Sequence, residues 1–242
     1  MRVALCLHGH FRTFDQCWDN LRKHVIEPYQ PDIFAMAWMD HMGNHLSPPD
    51  TANPHQHPGF STDSPPVSLN YVRRMIDSLR PLDLHLDHYH LHDAKFNRMV
   101  EELSAHHHPW PHHRPKGTLS LNWIRHVNLE MKRKQELRQG WCYDRVICTR
   151  WDIDHTVPLH LEQHDPNVMS LVNVHGPEVT SDIWASGPSH HMDTWADQIN
   201  HIDELVNAGT FNLGTHEWMK AWFIHRGIPW QNRDDLGVWT RR

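Results

Sequence analysis

A chain of 242 residues, 38% hydrophobic and 21% charged, is long enough to bury a sizeable core and too apolar to be disordered. Its formal net charge of -6 argues against a nucleic-acid scaffold, which shows a basic face, but not against a nucleotide neutralised locally. The longest apolar run, Ile33 to Met39, falls far short of the roughly 20 residues a membrane span needs, and the opening MRVALCLHGH carries no cleavage signal, so a cytoplasmic protein is expected.

The elements alternate from the start. Residues 3–7 read as a strand buried on both faces, because the apolar run has no polar alternation. A helix follows over 14–25, stopped near Pro28, and 32–39 is a second buried strand. Strand, loop, helix, strand is a βαβ unit and implies a parallel sheet. Residues 41–66, rich in Pro, His, Asn and Asp, read as a long loop. Val67, Val72, Met75, Ile76 and Leu79 have helical spacing, ended by Pro81. Then come a strand over 83–88, a helix over 93–104, a long and loosely periodic helix over 119–138, and a buried strand over 145–149. Strands over 168–172 and 182–185 and helices over 189–206 and 215–226 complete a single α/β domain with a mostly parallel sheet flanked by helices. Residues 1–155 and 156–242 are read as two halves of that one domain.

Cys6, Cys17, Cys142 and Cys148 form no C-x-x-C pair, and structural thiols are expected rather than a disulfide framework. Of the 26 histidines, the densest group is HHHPWPHHR, from His106 to Arg114. Prolines break it, so it reads as a solvated loop before it reads as a metal site. Among the 12 tryptophans, Trp18, Trp38 and Trp123 sit in apolar surroundings and suit the core.

The segment YDRVICTRWDIDHTVPL places Asp152 and Asp154 just beyond a buried strand. In extended backbone, residues two apart point to one face, so both carboxylates can converge on a cation while Ile153 anchors in the core. Carboxylates are hard oxygen ligands suited to Mg²⁺ or Mn²⁺, ions typically held by one or two carboxylates plus substrate phosphates. Ligands of open α/β sheets bind beyond the carboxyl ends of the strands, and Arg150 stands just before the pair. The alternative for D-x-D is an acidic turn before Pro158.

Three stretches carry a resemblance. VALCLHGHFRTF resembles an opening strand and loop of the form C-x-S-G-x-x-R-T, YDRVICTRWDID a strand of the form YD-x-V-I-x-x-R-x-D, and SDIWASGPSHHMDTW a later D-x-x-x-x-G strand and turn. Taken in order they resemble small GT-A-type glycosyltransferases of bacteria and of large viruses and phages, which would place a viral enzyme in the host-cell cytoplasm.

The resemblance implies a GT-A-like, Rossmann-like fold and a metal-dependent transferase that moves a sugar from a nucleoside-diphosphate sugar, UDP-hexose first, to an acceptor that is a glycan, a lipid or a protein. It places Gly9 and Arg12 by base or phosphate, Asp154 on Mn²⁺ or Mg²⁺, and Asp152 on metal or ribose. His8 departs from the serine of the pattern. Arg150 adds a charge-assisted contact to the leaving diphosphate, and Asp182 and Glu217 are candidate general bases for the acceptor hydroxyl. His216 is the expected third metal ligand, with Glu217, His225, Asp234 and Asp235 also available, and Trp184, Trp195 and Trp218 are candidates to stack on a sugar. Two alternatives are a nucleotide-sugar hydrolase on the same fold and a non-catalytic, histidine-rich divalent-metal-binding protein.

Overall fold

The computed structural model describes residues 1–11, 13–39, 67–104, 115–173, 180–208 and 215–240. In chain order the elements are β1 (Val3–Gly9), α1 (Phe14–Leu21), α2 (Glu27–Tyr29), β2 (Asp32–Trp38), α3 (Leu69–Leu79), β3 (Asp83–Asp87), α4 (Asp93–Ser104), α5 (Pro115–Gln139), β4 (Arg145–Arg150), β5 (Ile153–His155), β6 (Met169–Val172), β7 (Trp184–Gly187), α6 (Ser189–Ala196), α7 (Ile202–Asn207), α8 (Thr215–Arg226), β8 (Trp230–Arg233) and β9 (Val238–Thr240). Seven strands form one sheet in the order β3-β2-β1-β4-β7-β6-β8, and β5 pairs with β9 in a separate two-stranded ribbon. Pairing is parallel except where β7 runs against β4 and β6, so the expected mostly parallel α/β sheet is present.

The absence of polar alternation in β1 and β2 has a direct cause. Each strand is covered on both sides, so successive residues enter different cores. Val3, Leu5 and Leu7 with Ile33, Ala35 and Ala37 meet α1 and α3, whereas Ala4 and Cys6 with Phe34 and Met36 meet the layer built from α4 to α8. Cys6, Cys17 and Cys148 are buried and Cys142 is exposed, all as free thiols.

The helix expected over 14–25 runs on to Tyr29, one residue past Pro28. It widens into a π-turn over Arg22–Ile26 and continues through α2. Proline has no N–H and its ring crowds the carbonyl four residues back. That carbonyl, on His24, accepts Leu159 N at 3.3 Å instead, and the π-turn carries the His24 ring inward. Ser68 caps α3 by accepting Tyr71 N, and Arg80 ends it in the left-handed conformation at φ 48°. The helix expected over 189–206 is broken: a 3₁₀ turn over Asp197–Asn200 separates α6 from α7. There Asp197 accepts Asn200 Nδ2 at 2.8 Å, the kind of side-chain bond that competes with helix continuation. The strand expected from residue 182 begins two residues later, leaving Asp182 in the turn before β7. The loop over 41–66 and the patch from His106 to Arg114 lie outside the described residues. Among the described residues no helix is long and apolar enough to cross a membrane.

Candidate functional site

The chain moves from β1 outward to β2 and β3 on one side, then returns to place β4 on the other. This reversal puts the switch point of the sheet at the carboxyl ends of β1 and β4, the position where open α/β sheets take ligands. Gly9 ends β1 at φ 110°, and a Cβ built there would sit an ordinary 4.0 Å from Arg150 Cγ. Conformation, not crowding, is therefore what asks for glycine. Arg12 lies outside the described residues.

Trp151 turns the chain at the end of β4. Its Nε1 donates to Met36 O at 3.0 Å, and its ring packs 5.0 Å from Phe11 and 5.2 Å from Phe14. The wedge fixes the start of the Asp152–Asp154 segment. Arg150 grips Asp152 as a fork, Nε to Oδ1 at 2.9 Å and a terminal nitrogen to Oδ2 at 2.5 Å. Burial alone would depress the Arg150 guanidinium, but Asp152 overcomes this and raises it. Asp154 enters β5 and accepts Asn20 Nδ2 of α1 at 2.7 Å. Both carboxylates are buried, and Ile153 between them enters the core under α1, as the alternation required. They do not share partners: Asp152 is held from its own strand and Asp154 from the α1 layer.

Asp182 joins the site from the turn before β7. Its carbonyl accepts Arg125 of α5 at 3.1 Å, and its Oδ1 stands 3.9 Å from His216 Nδ1. The His216 carbonyl in turn accepts Thr180 Oγ1 at 2.6 Å, which ties the start of α8 to the same turn. Glu217 is exposed in the first turn of α8. Asp182 and His216, expected in separate roles, are thus neighbours. Among the described residues no three His, Cys, Asp or Glu side chains gather as a metal site. The other C-terminal candidates are engaged elsewhere: His225 with Glu204 at 3.2 Å, Asp234 with Asn173 at 2.7 Å, and Asp235 with Arg233 at 2.8 Å.

Two residues give the site a character the motifs did not announce. Arg125 is fully buried, donates to Asn122 Oδ1 at 2.8 Å and lies 3.9 Å over the Trp195 ring. His8 is also fully buried, with Nδ1 3.6 Å from Cys148 Sγ. Burial first, then Arg125 and Arg150, hold His8 well below the usual imidazole range, so it is neutral. It lies inside the protein and not on a ligand-facing surface. Trp184, Trp195 and Trp218 correct a further expectation: all three are sealed in the core and present no face to a sugar. Trp38 is buried and Trp18 and Trp123 are half-buried, in line with packing roles. Asn20 and Arg125 escaped sequence reasoning because each lies inside a helix with no motif around it. No family model matches the chain, and no curated protein sequence matches it.

Proposed function

We propose that the chain is a divalent-cation-dependent glycosyltransferase acting on a nucleoside-diphosphate sugar, with a UDP-hexose as the first donor to test. The observation that carries this reading is the Arg150-Asp152-Asp154 group at the carboxyl edge of β4, beside the point where the sheet reverses its strand order. The donor set fits a hard cation, since Mg²⁺ and Mn²⁺ need only one or two carboxylates when phosphate oxygens complete the shell. Asp154 suits the ligand role best, because the Arg150 fork already neutralises Asp152. When bound, the cation supplies Lewis acidity to the leaving diphosphate.

The chain's own residues supply the rest. Asp152 holds Arg150 in one orientation, and Arg150 offers its fixed charge to the phosphates. Gly9 lets backbone approach them. Asp182 beside His216 is the better placed base, accepting the proton as the acceptor oxygen bonds to the anomeric carbon and the bond to diphosphate breaks. Glu217, exposed one residue further on, is the second candidate. Calorimetry of UDP with Mn²⁺ and with EDTA tests the reading. UDP is expected to bind far more tightly with Mn²⁺, and Asp154→Ala to abolish the difference. Equal UDP affinity in both conditions would overturn it.

A further inference from the structure

The three tryptophans expected to stack on sugar are buried, and Trp239 is the contrast, with 64% of its surface exposed. It stands on β9 directly across from Asp154 on β5. Opposed residues of an antiparallel pair share one face of the ribbon, with Cβ atoms roughly 5 Å apart. The ribbon is a firm mount. Ile153, His155 and Val238 are buried beneath it, and both the N–H and the Oγ1 of Thr156 donate to the Gly237 carbonyl at 2.8 Å. Among the described residues no ring stacks on the indole. A large apolar plane is therefore held open on a rigid support, next to the carboxylate that anchors the candidate site.

We propose that Trp239 is a carbohydrate-stacking subsite that takes the apolar C–H face of a pyranose, an inference that rests on the transferase reading above. An indole open on one side suits a sugar. The C–H face of the ring is covered while its rim of hydroxyls stays in water. A nucleobase has two apolar faces, and a one-sided open stack leaves one of them wet. The pyranose comes either from the donor hexose or from a glycan acceptor, and the two arms of the test separate these sources.

The test compares wild type with Trp239→Ala and Trp239→Phe, with thermal melts confirming that both variants fold. Calorimetry is run with UDP and UDP-glucose in Mn²⁺, and with malto-, cello- and chito-oligosaccharides. Wild type is expected to bind UDP-glucose more tightly than UDP, or to bind an oligosaccharide. Trp239→Ala is expected to weaken that sugar-dependent part by at least about tenfold and Trp239→Phe by less, with UDP affinity within about twofold of wild type. A loss confined to UDP-glucose assigns the donor hexose, and a loss confined to an oligosaccharide assigns the acceptor. The proposal is overturned if Trp239→Ala binds every sugar as wild type does, if its UDP affinity falls in parallel, or if wild type shows no sugar-dependent binding. If UDP fails to bind wild type while an oligosaccharide binds in a Trp239-dependent way, the platform stands and the transferase reading falls.

Discussion

Helix α5 carries two buried cations two turns apart, and their surroundings are opposite. Lys132 Nζ lies 2.8 Å from Glu136 Oε2 and donates to Ser189 Oγ. It is also 2.7 Å from Asp193 Oδ1, in ion-pair contact though off the hydrogen-bond direction of that oxygen. Ser189 Oγ and Tyr143 N both donate to Glu136 Oε1, at 2.6 and 2.8 Å. Burial pushes the Asp193 carboxyl up to about 6 even with Lys132 pulling it down. Arg125, by contrast, forms no ion pair among the described residues. It donates to an amide and a carbonyl and lies on an indole. Its neighbour Cys148 is a neutral thiol, pushed up to about 12 by burial against the pull of Arg125. Around it His8 Nε2 and Ser181 Oγ are buried without hydrogen-bond partners. A network whose charges are answered in contact is a device for packing α5 on α6. A cation answered only at a distance, buried beside His8 near the carboxyl end of β1, raises the local potential.

The largest effect should come from breaking the first region. Lys132→Met leaves buried Glu136 without a counter-charge and half-buried Asp193 with only Arg133, 3.7 Å away, and the expected loss is about 3–5 kcal/mol by denaturant titration. Arg125→Met removes a charge that has no carboxylate in contact, and the expected loss is at most about 1–2 kcal/mol. Binding of UDP with Mn²⁺ should show the reverse order, with Lys132→Met close to wild type and Arg125→Met weaker by about tenfold. Equal destabilisation by the two variants would erase the contrast.

The same helix shows what the sequence could tell. Its apolar positions looked loosely periodic because the buried stripe is largely polar: Asn122, Arg125, Asn128, Lys132 and Glu136 recur at three- and four-residue steps and are all buried. A hydrophobicity count discards that signal, whereas a count of polar periodicity would have kept it. The strands β1, β2 and β4 were legible because two-sided burial leaves an uninterrupted apolar run. The ribbon strands β5 and β9 were not. Each is three residues long, and their pairing joins residues far apart in sequence. The position of Asp152 and Asp154 beyond β4 was readable from order alone, but their separate partners, Arg150 and Asn20, depend on tertiary packing.

Acid sharpens the comparison with a third kind of buried group, one that avoids charge altogether. Burial first, then Arg233 and Arg145, push His164 down to about 4. In the unfolded chain its pKa is about 6.5. Below 6.5 the unfolded state binds a proton that the folded state refuses, so stability is intact above that value and falls as the pH drops toward 4. Between pH 7.5 and 5 the penalty amounts to roughly 2 kcal/mol. His164→Gln is expected to reduce the stability difference between those two pH values by about that amount. Some slope will remain, because His8 and His155 are also buried and held low. An unchanged difference in the variant would mean that His164 is protonated in the folded protein.

The smallest effect belongs to the mount of the β5–β9 ribbon. Gly237 has φ 54°, and a Cβ built there would meet Val157 Cγ2 at 2.6 Å and Thr156 Oγ1 at 2.9 Å. Two penalties therefore meet in Gly237→Ala: left-handed backbone, worth about 1–2 kcal/mol for an L-residue, and crowding against a stiff β-branched neighbour. Val157 is partly exposed and can give way, so the expected total is only roughly 1–2 kcal/mol. Asparagine tolerates the left-handed region but brings the same Cβ, so Gly237→Asn isolates the crowding. Adding Val157→Ala to Gly237→Ala removes the two closest methyl contacts and is expected to recover part of the loss, a coupling that a double-mutant cycle in denaturant measures directly. If Gly237→Asn matches wild type, backbone conformation alone demands the glycine. If instead Val157→Ala rescues the alanine variant, packing against Val157 sets the angle at which β9 leaves the turn and presents Trp239.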